Sequence, residues 1–221
     1  MWCIPPEQNA EFVCAMENVL EVYHRPYDAK RPVVCMDETS KQLVKETRVR
    51  QPVAAGHAAK IDYEYERNGT ANVFMFVEPL RGWRKANITD RRTRCDWAEQ
   101  IKELIDVHYP EVERITLVQD NLNTHHPSSL YEAFTPEEAR RLIGKFEIVY
   151  TPKHGSWLNI AEIELGVLNR QCMDERIGEK SELVQEVSAW EGRRNGETAK
   201  IDWQFTTADA RIKLRRLYPK L

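Results

Sequence analysis

The sequence predicts an α/β protein, a mixed sheet of five strands with helices on its faces. Short apolar, β-branched runs recur at residues 33–36, 71–80, 115–120 and 146–150, as expected of strands buried in a sheet. Amphipathic stretches of helical period lie before, between and after them. No linker rich in Pro, Gly or Ser divides the chain, so these elements belong to one layered domain.

Residues 7–22 place Phe12, Val13, Met16, Val19, Leu20 and Val22 at near-helical spacing. Pro26 and Pro32 break the chain before the run VVCM at 33–36, a short buried strand that ends in Asp37-Glu38. Residues 43–66 alternate weakly and contain an irregular strand. NGT at 68–70 is a turn signal leading into ANVFMFVEPL, so the two form a hairpin. Between 93 and 108, Trp97, Ile101, Leu104, Ile105 and His108 share a helical face. ITLVQD at 115–120 is another buried strand ending in an aspartate. Two short helices follow at 128–134 and 136–144, with Pro136 in a first-turn position where its missing N–H costs nothing. FEIVY at 146–150 is the last strand. A helix then starts within 153–169, another lies near 181–191, and a final one is capped by Thr206 or Thr207.

The 221 residues are 42% hydrophobic and 30% charged, ordinary for a globular protein. The chain contains no apolar run of membrane-spanning length, and MWCIPPEQNAEF lacks the pattern of a secretion signal, so a cytoplasmic protein without a membrane partner is expected. Cys3, Cys14, Cys35, Cys95 and Cys172 are scattered and odd in number, which speaks against a disulfide framework or zinc knuckle. A net charge of −3 gives no general attraction to nucleic acid, but basic residues cluster at Arg81/Arg84/Lys85, at Arg91/Arg92/Arg94 and in the tail from Arg211 to Lys220. Each cluster is read as a solvated surface, and the tail, with Arg215 and Arg216, is the best candidate for a phosphate-facing patch.

Asp37 and Asp120 each follow an apolar strand, and ligands gather at strand ends in such sheets. Side by side on parallel neighbours, two carboxylates repel and persist ionised when a cation lies between them. Glu162, early in the later helix, completes three oxygen donors suited to magnesium or manganese. Each acid also has a plainer reading. A strand-end aspartate commonly belongs to a turn or cap. Asn159 followed by Glu162 resembles a capping-box pair, which would only tie down the helix start.

CMDET, VQDNLNTHH and YTPKHGSWLNIAEIE occur in that order, each around the end of a predicted strand. Together they resemble the catalytic domain of DDE transposases of the mariner-like group found in bacterial insertion sequences. Leu158-Asn159 and Glu162 match the family's third motif, with Ile160 where the family usually carries proline. The resemblance spans residues 31 to 170 and extends to the tail WQFTTADARIKLRRLYP. It implies a ribonuclease H-like fold, two Mg2+ or Mn2+ ions, and cleavage of DNA phosphodiesters at transposon ends followed by strand transfer of the 3′-hydroxyl into target DNA. By position Asp37 would bridge both ions, Asp120 would bind one and Glu162 the other.

Glu164 lies about 200° further round the helix than Glu162 and is expected to be a partly exposed surface acid. His125 or His126 is read either as a phosphate contact or orienter of Asp120, or as an ordinary turn or packing residue. Lys153 and His154 are read as DNA-backbone contacts or a solvated loop, and Trp157 as a packing residue. The chain divides into an N-terminal helical segment and linker, 1–30, and the catalytic domain with its C-terminal helices and basic tail, 31–221. A homodimer is implied by the resemblance, and a helix-turn-helix reader is expected on a longer or separate polypeptide. Two rival readings are a metal-dependent nuclease without strand transfer and a catalytically decayed DNA-binding remnant.

Overall fold

The computed structural model describes residues 4–5, 7–47 and 64–220. Helix α1 (Ala10–Tyr23) opens on Asn9, whose side chain accepts from the Phe12 N–H. Then come strands β1 (Val33–Glu46), β2 (Tyr65–Glu78) and β3 (Trp83–Thr89), helix α2 (Arg94–Glu103) with a π turn at Leu104–His108, and strand β4 (Ile115–Gln119). Helices α3 (Ser128–Ala133) and α4 (Pro136–Gly144) lead to strand β5 (Phe146–Tyr150). Helices α5 (Ile160–Leu168), α6 (Lys180–Gly196) and α7 (Thr207–Lys213) complete the fold. Thr206 and Asp209 close a capping box at the start of α7.

The five strands form one sheet in the order β3-β2-β1-β4-β5. The pairs β1–β2 and β2–β3 are antiparallel, and β1–β4 and β4–β5 are parallel. Alternation along the strands feeds two cores. Cys35, Val73, Met75 and Val77 pack with buried residues of α1, α5, α6 and α7. Val34, Met36, Phe74 and Phe76 pack on the other face with α2, α3 and α4. Met16, Val19 and Leu20 of α1 are fully buried, so this helix is part of the core. Among the described residues no helix is long and apolar enough to cross a membrane.

Three elements differ from the sequence-based expectation. Strand β1 does not stop at Asp37 but runs to Glu46, because its polar half, Asp37 to Lys41, pairs with the apolar run of β2 from Met75 back to Ala71. The expected irregular strand in 43–66 is the end of β1 and the start of β2, and residues 48–63 lie outside the described residues. The NGT sequence is not the hairpin turn. Gln42 pairs with Thr70 and Val44 with Arg67, so β2 holds one residue more than β1 there, and Gly69 takes φ +85° in this bulge. Strand β3 was not expected, since its inward position 84 is an arginine and the apolar alternation is broken.

Arg84 also corrects the reading of Glu164. Glu164 is buried, and its Oε1 accepts from Arg84 Nε at 2.5 Å and from Arg194 Nη2 at 2.8 Å. Arg84 further donates to the carbonyls of Gly82 and Ala199. The network ties α5 to β3 and α6. Gly82, at φ +73°, is needed beside it: a Cβ there would stand 2.8 Å from the backbone of Thr198.

Removing one partner of such a buried pair leaves an uncompensated charge. Glu164→Gln is therefore expected to cost about 3 kcal/mol or more, which lowers Tm by about 6 °C or more for a chain of this size. Thermal or urea unfolding measures this, and a change within about 0.5 kcal/mol, the size of an ordinary surface substitution, would refute it.

Candidate active site

The parallel pairing of β1 with β4 sets Val33, Val34 and Cys35 opposite Thr116, Leu117 and Val118. Asp37 and Asp120 each stand two residues past the last of these pairs, so their backbones reach the same level. Helix α5 crosses this end of β1. Asp37, Asp120 and Glu162 all line one open cleft of about 490 Å³, together with Asn159 and Lys41.

Asn159 fixes the relation between α5 and β1. Its Oδ1 caps α5 by accepting from the Ala161 N–H at 3.1 Å. Its Nδ2 donates to Met36 O at 2.9 Å and to Asp37 Oδ2 at 3.3 Å. The capping box read from Asn159 and Glu162 is not closed. Glu162 turns to the cleft instead, and its Oε2 is buried without a hydrogen-bond partner. That orphaned acceptor is costly unless a cation or donor meets it.

Asp37 receives the Glu38 N–H on Oδ1 at 2.8 Å, which favours its ionised form. Burial works against ionisation, and the charges of Asp120, Glu38 and Glu162 add to it, so the Asp37 carboxyl is raised to about 7. The donors gathered here are carboxylate oxygens, the chemistry of hard divalent cations. Among the described residues no three acidic, histidine or cysteine side chains close on a common point as a ready-made metal cage. The three acids line the same cleft.

Asp120 is held from behind. His125 Nδ1 hydrogen-bonds Asp120 Oδ1, and His125 Nε2 lies 2.9 Å from Glu38 Oε2. His125 is buried and stacks on Trp97 at 6.2 Å. Burial opposes its positive form, but the two carboxylates outweigh it and raise the imidazole to about 9. His126, by contrast, is exposed and bonds Ser128 within its turn. Sequence reasoning missed Glu38, although its position next to Asp37 sends it to the opposite face of the sheet. The signal was present in the alternation of a strand that extends past Asp37.

The remaining predicted residues do not line this cleft. Lys153 and His154 are exposed on the turn before α5, with His154 at φ +64°. Arg215 and Arg216 are exposed in a single helical turn after α7, a segment that packs on α1. Trp157 packs edge-on against Phe205, as a packing residue should.

A mixed sheet of this order with helices on both faces is a ribonuclease H-like fold. The family model described as DDE superfamily endonuclease matches residues 32–184, and the chain belongs to that family. Among solved structures the fold is similar to the catalytic domain of Mos1 mariner transposase, with TM-score 0.56 and 10% identity over 89% of this chain and 96% of that one. It is also similar to the Mos1 strand transfer complex, with TM-score 0.58 and 14% identity over 89% of this chain and 61% of that one. The mariner Mos1 paired end complex with Mg matches with TM-score 0.57 and 14% identity, over 98% of this chain and 66% of that one. The chain thus spans less than two thirds of the Mos1 chains in those complexes. No curated protein sequence matches significantly.

The Asp37 carboxyl titrates near 7 in the folded chain against an ordinary 3.8, so the native state holds the proton longer. Its contribution to stability is complete below pH 3.8 and is lost as pH rises through about 7. In chelator, the Tm of the natural chain relative to Asp37→Asn is expected to fall across that window. Calorimetry of both proteins at several pH values checks this, and parallel curves would contradict the assignment.

Proposed function

We propose that this chain is the catalytic domain of a transposase, which cleaves DNA phosphodiesters at transposon ends with divalent metal and transfers the 3′-hydroxyl to target DNA. The observation that carries the reading is the meeting of Asp37, Asp120 and Glu162 in one cleft, with the buried Glu162 Oε2 unsatisfied. Membership of the DDE endonucleases and the fold shared with Mos1 support it.

Asp37 feels the charges of both Asp120 and Glu162, so it would be the acid shared by two Mg2+ or Mn2+ ions. Asp120 would hold one ion and Glu162 the other. Ions held by these carboxylates would supply the acidity that activates a water or a DNA 3′-hydroxyl for in-line attack and the charge that stabilises the leaving oxygen. The carboxylates position the ions and need not accept the proton. Asn159 keeps Asp37 and the start of α5 in fixed relation, so that Glu162 enters the cleft from the side.

The rest of the reading concerns DNA. Lys153, His154, Arg215 and Arg216 are exposed and suited to phosphate contacts. The apolar face of α1 is committed to the core, so α1 is a poor recognition helix, and we assign end recognition to a helix-turn-helix region outside this domain. The unit 31–221 then carries the chemistry, and a homodimer would bring paired ends together.

Asp37→Asn, Asp120→Asn and Glu162→Gln are each expected to reduce metal-dependent nicking to background while the protein stays folded. Nicking at near the natural rate by any of them would refute the site, and nicking without joining of the 3′-end would identify a nuclease that lacks strand transfer. Binding to an end-containing duplex should resemble binding to a scrambled one and weaken with salt, and Arg215→Ala should lower the salt slope by about 1. A preference for the end of about a thousandfold, as in specific readers, would place the reader within these residues.

A further inference from the structure

Asp37 and Asp120 are expected members of the acidic site, but the structure places two more ionisable groups directly behind them. Glu38 follows Asp37 on β1 and points to the other face of the sheet, where its side chain is only 4% exposed. There its Oε2 lies at ion-pair distance, 2.9 Å, from His125 Nε2 without forming an aligned hydrogen bond, and Arg92 Nη1 is 3.8 Å from its other oxygen. The opposite edge of the His125 ring meets Asp120 Oδ1. The ring therefore spans the gap between a buried acid on β1 and a cleft acid beyond β4.

The ring and the backbone that carries it are both held by further contacts. Trp97 stacks on it with an interplanar angle of 28°. The His125 carbonyl accepts from Gln119 Nε2 at 2.7 Å and from Tyr150 Oη at 3.2 Å. Gln119 Oε1 in turn accepts from Trp97 Nε1 at 3.3 Å. A histidine fixed in this way restricts the rotation of any carboxylate bonded to it. The Leu122 N–H also points to Asp120 Oδ1, at 3.4 Å. Among the described residues, both hydrogen bonds to the Asp120 carboxylate fall on Oδ1, and none falls on Oδ2.

We infer that Glu38 and His125 are positioning residues for Asp120: Glu38 orients the His125 ring, and His125 Nδ1 occupies Asp120 Oδ1 so that Oδ2 alone is presented to a divalent cation. The inference rests on the proposed reading of Asp120 as a cation ligand. The arrangement places no demand on proton transfer, and its role is geometric. Partners that orient a metal-binding side chain in this way are worth about 10- to 100-fold in metal affinity.

Mn2+ binding to the full chain, followed by calorimetry and by the electron paramagnetic resonance of free Mn2+, tests this without any turnover. In His125→Asn the side-chain amide can still donate from the position of Nδ1, whereas in His125→Gln it reaches only toward Glu38. His125→Phe keeps the stack on Trp97 and removes both contacts. Weakening of Mn2+ binding by about tenfold or more in the Gln and Phe variants, with the Asn variant close to the natural chain, is the expected result. Glu38→Gln, which leaves Asp120 untouched, should weaken binding by a smaller factor.

A purely structural role for His125 would lower Tm in all these variants and leave the Mn2+ affinity of the folded protein unchanged, and that outcome overturns the inference. If the Phe variant does not fold, the Asn and Gln pair decides, since both keep a polar side chain of similar size. Asp120→Asn serves as the control. Undiminished Mn2+ binding by it would overturn the reading of Asp120 as a ligand. Weakened binding by it, beside unchanged binding by His125→Gln, would overturn the positioning role alone.

Discussion

The parallel pairing of β1 with β4 is the constraint on which the rest of the site depends. It joins the first antiparallel hairpin to the later βα units and brings two aspartates separated by 83 positions to one level of the sheet. A slip of one residue would turn the Asp37 side chain to the opposite face and put that of Glu38 in its place, because side chains alternate along a strand. The apolar residues before Asp37 resist that slip. Cys35 packs with α1 and α5, while Val34 and Met36 pack with α2 and α4, so each face of the strand has its own core to fill.

Like charges meet at the level so defined, and the surrounding polar groups hold them against their repulsion. Burial first, and the neighbouring acids after it, raise the Asp37 carboxyl. Asn159 bonds Asp37 and caps α5 with the two ends of one amide. His125 performs a similar service for Asp120 from the opposite face. Each acid of the cleft except Glu162 thus has a neighbour that limits its rotation, and Glu162 is instead fixed through its helix.

That helix shows how two acids two residues apart acquire opposite roles. A separation of about 200° sends Glu162 toward the strand ends and Glu164 toward β3 and α6. Glu164 takes two arginines, one of them wholly buried, and joins α5 to the far edge of the sheet. A buried network of this kind contributes little net stability compared with apolar packing, but it breaks at high cost. Its consequence here is orientation: α5 is held at both its capped start and its middle, so Glu162 meets the cleft at a defined angle.

The apolar runs, their spacing and the acids that follow them already indicated a mixed sheet, the strands β4 and β5, the helices between them and Asp37, Asp120 and Glu162 as candidates. Those signals are local, because a buried strand needs a run of branched apolar residues and a helix needs its period. The length of β1, the bulge at Gly69 and the existence of β3 were decided by pairing with strands distant in sequence, which compensates polar residues that local propensity counts against a strand. Glu164 was misread because its partners, Arg84 and Arg194, come from an edge strand and a later helix. Strand alternation already put Glu38 on the face opposite Asp37, but only the fold brings His125 beneath it. Burial of charge is set by which partners the tertiary structure supplies, and sequence spacing carries no record of them.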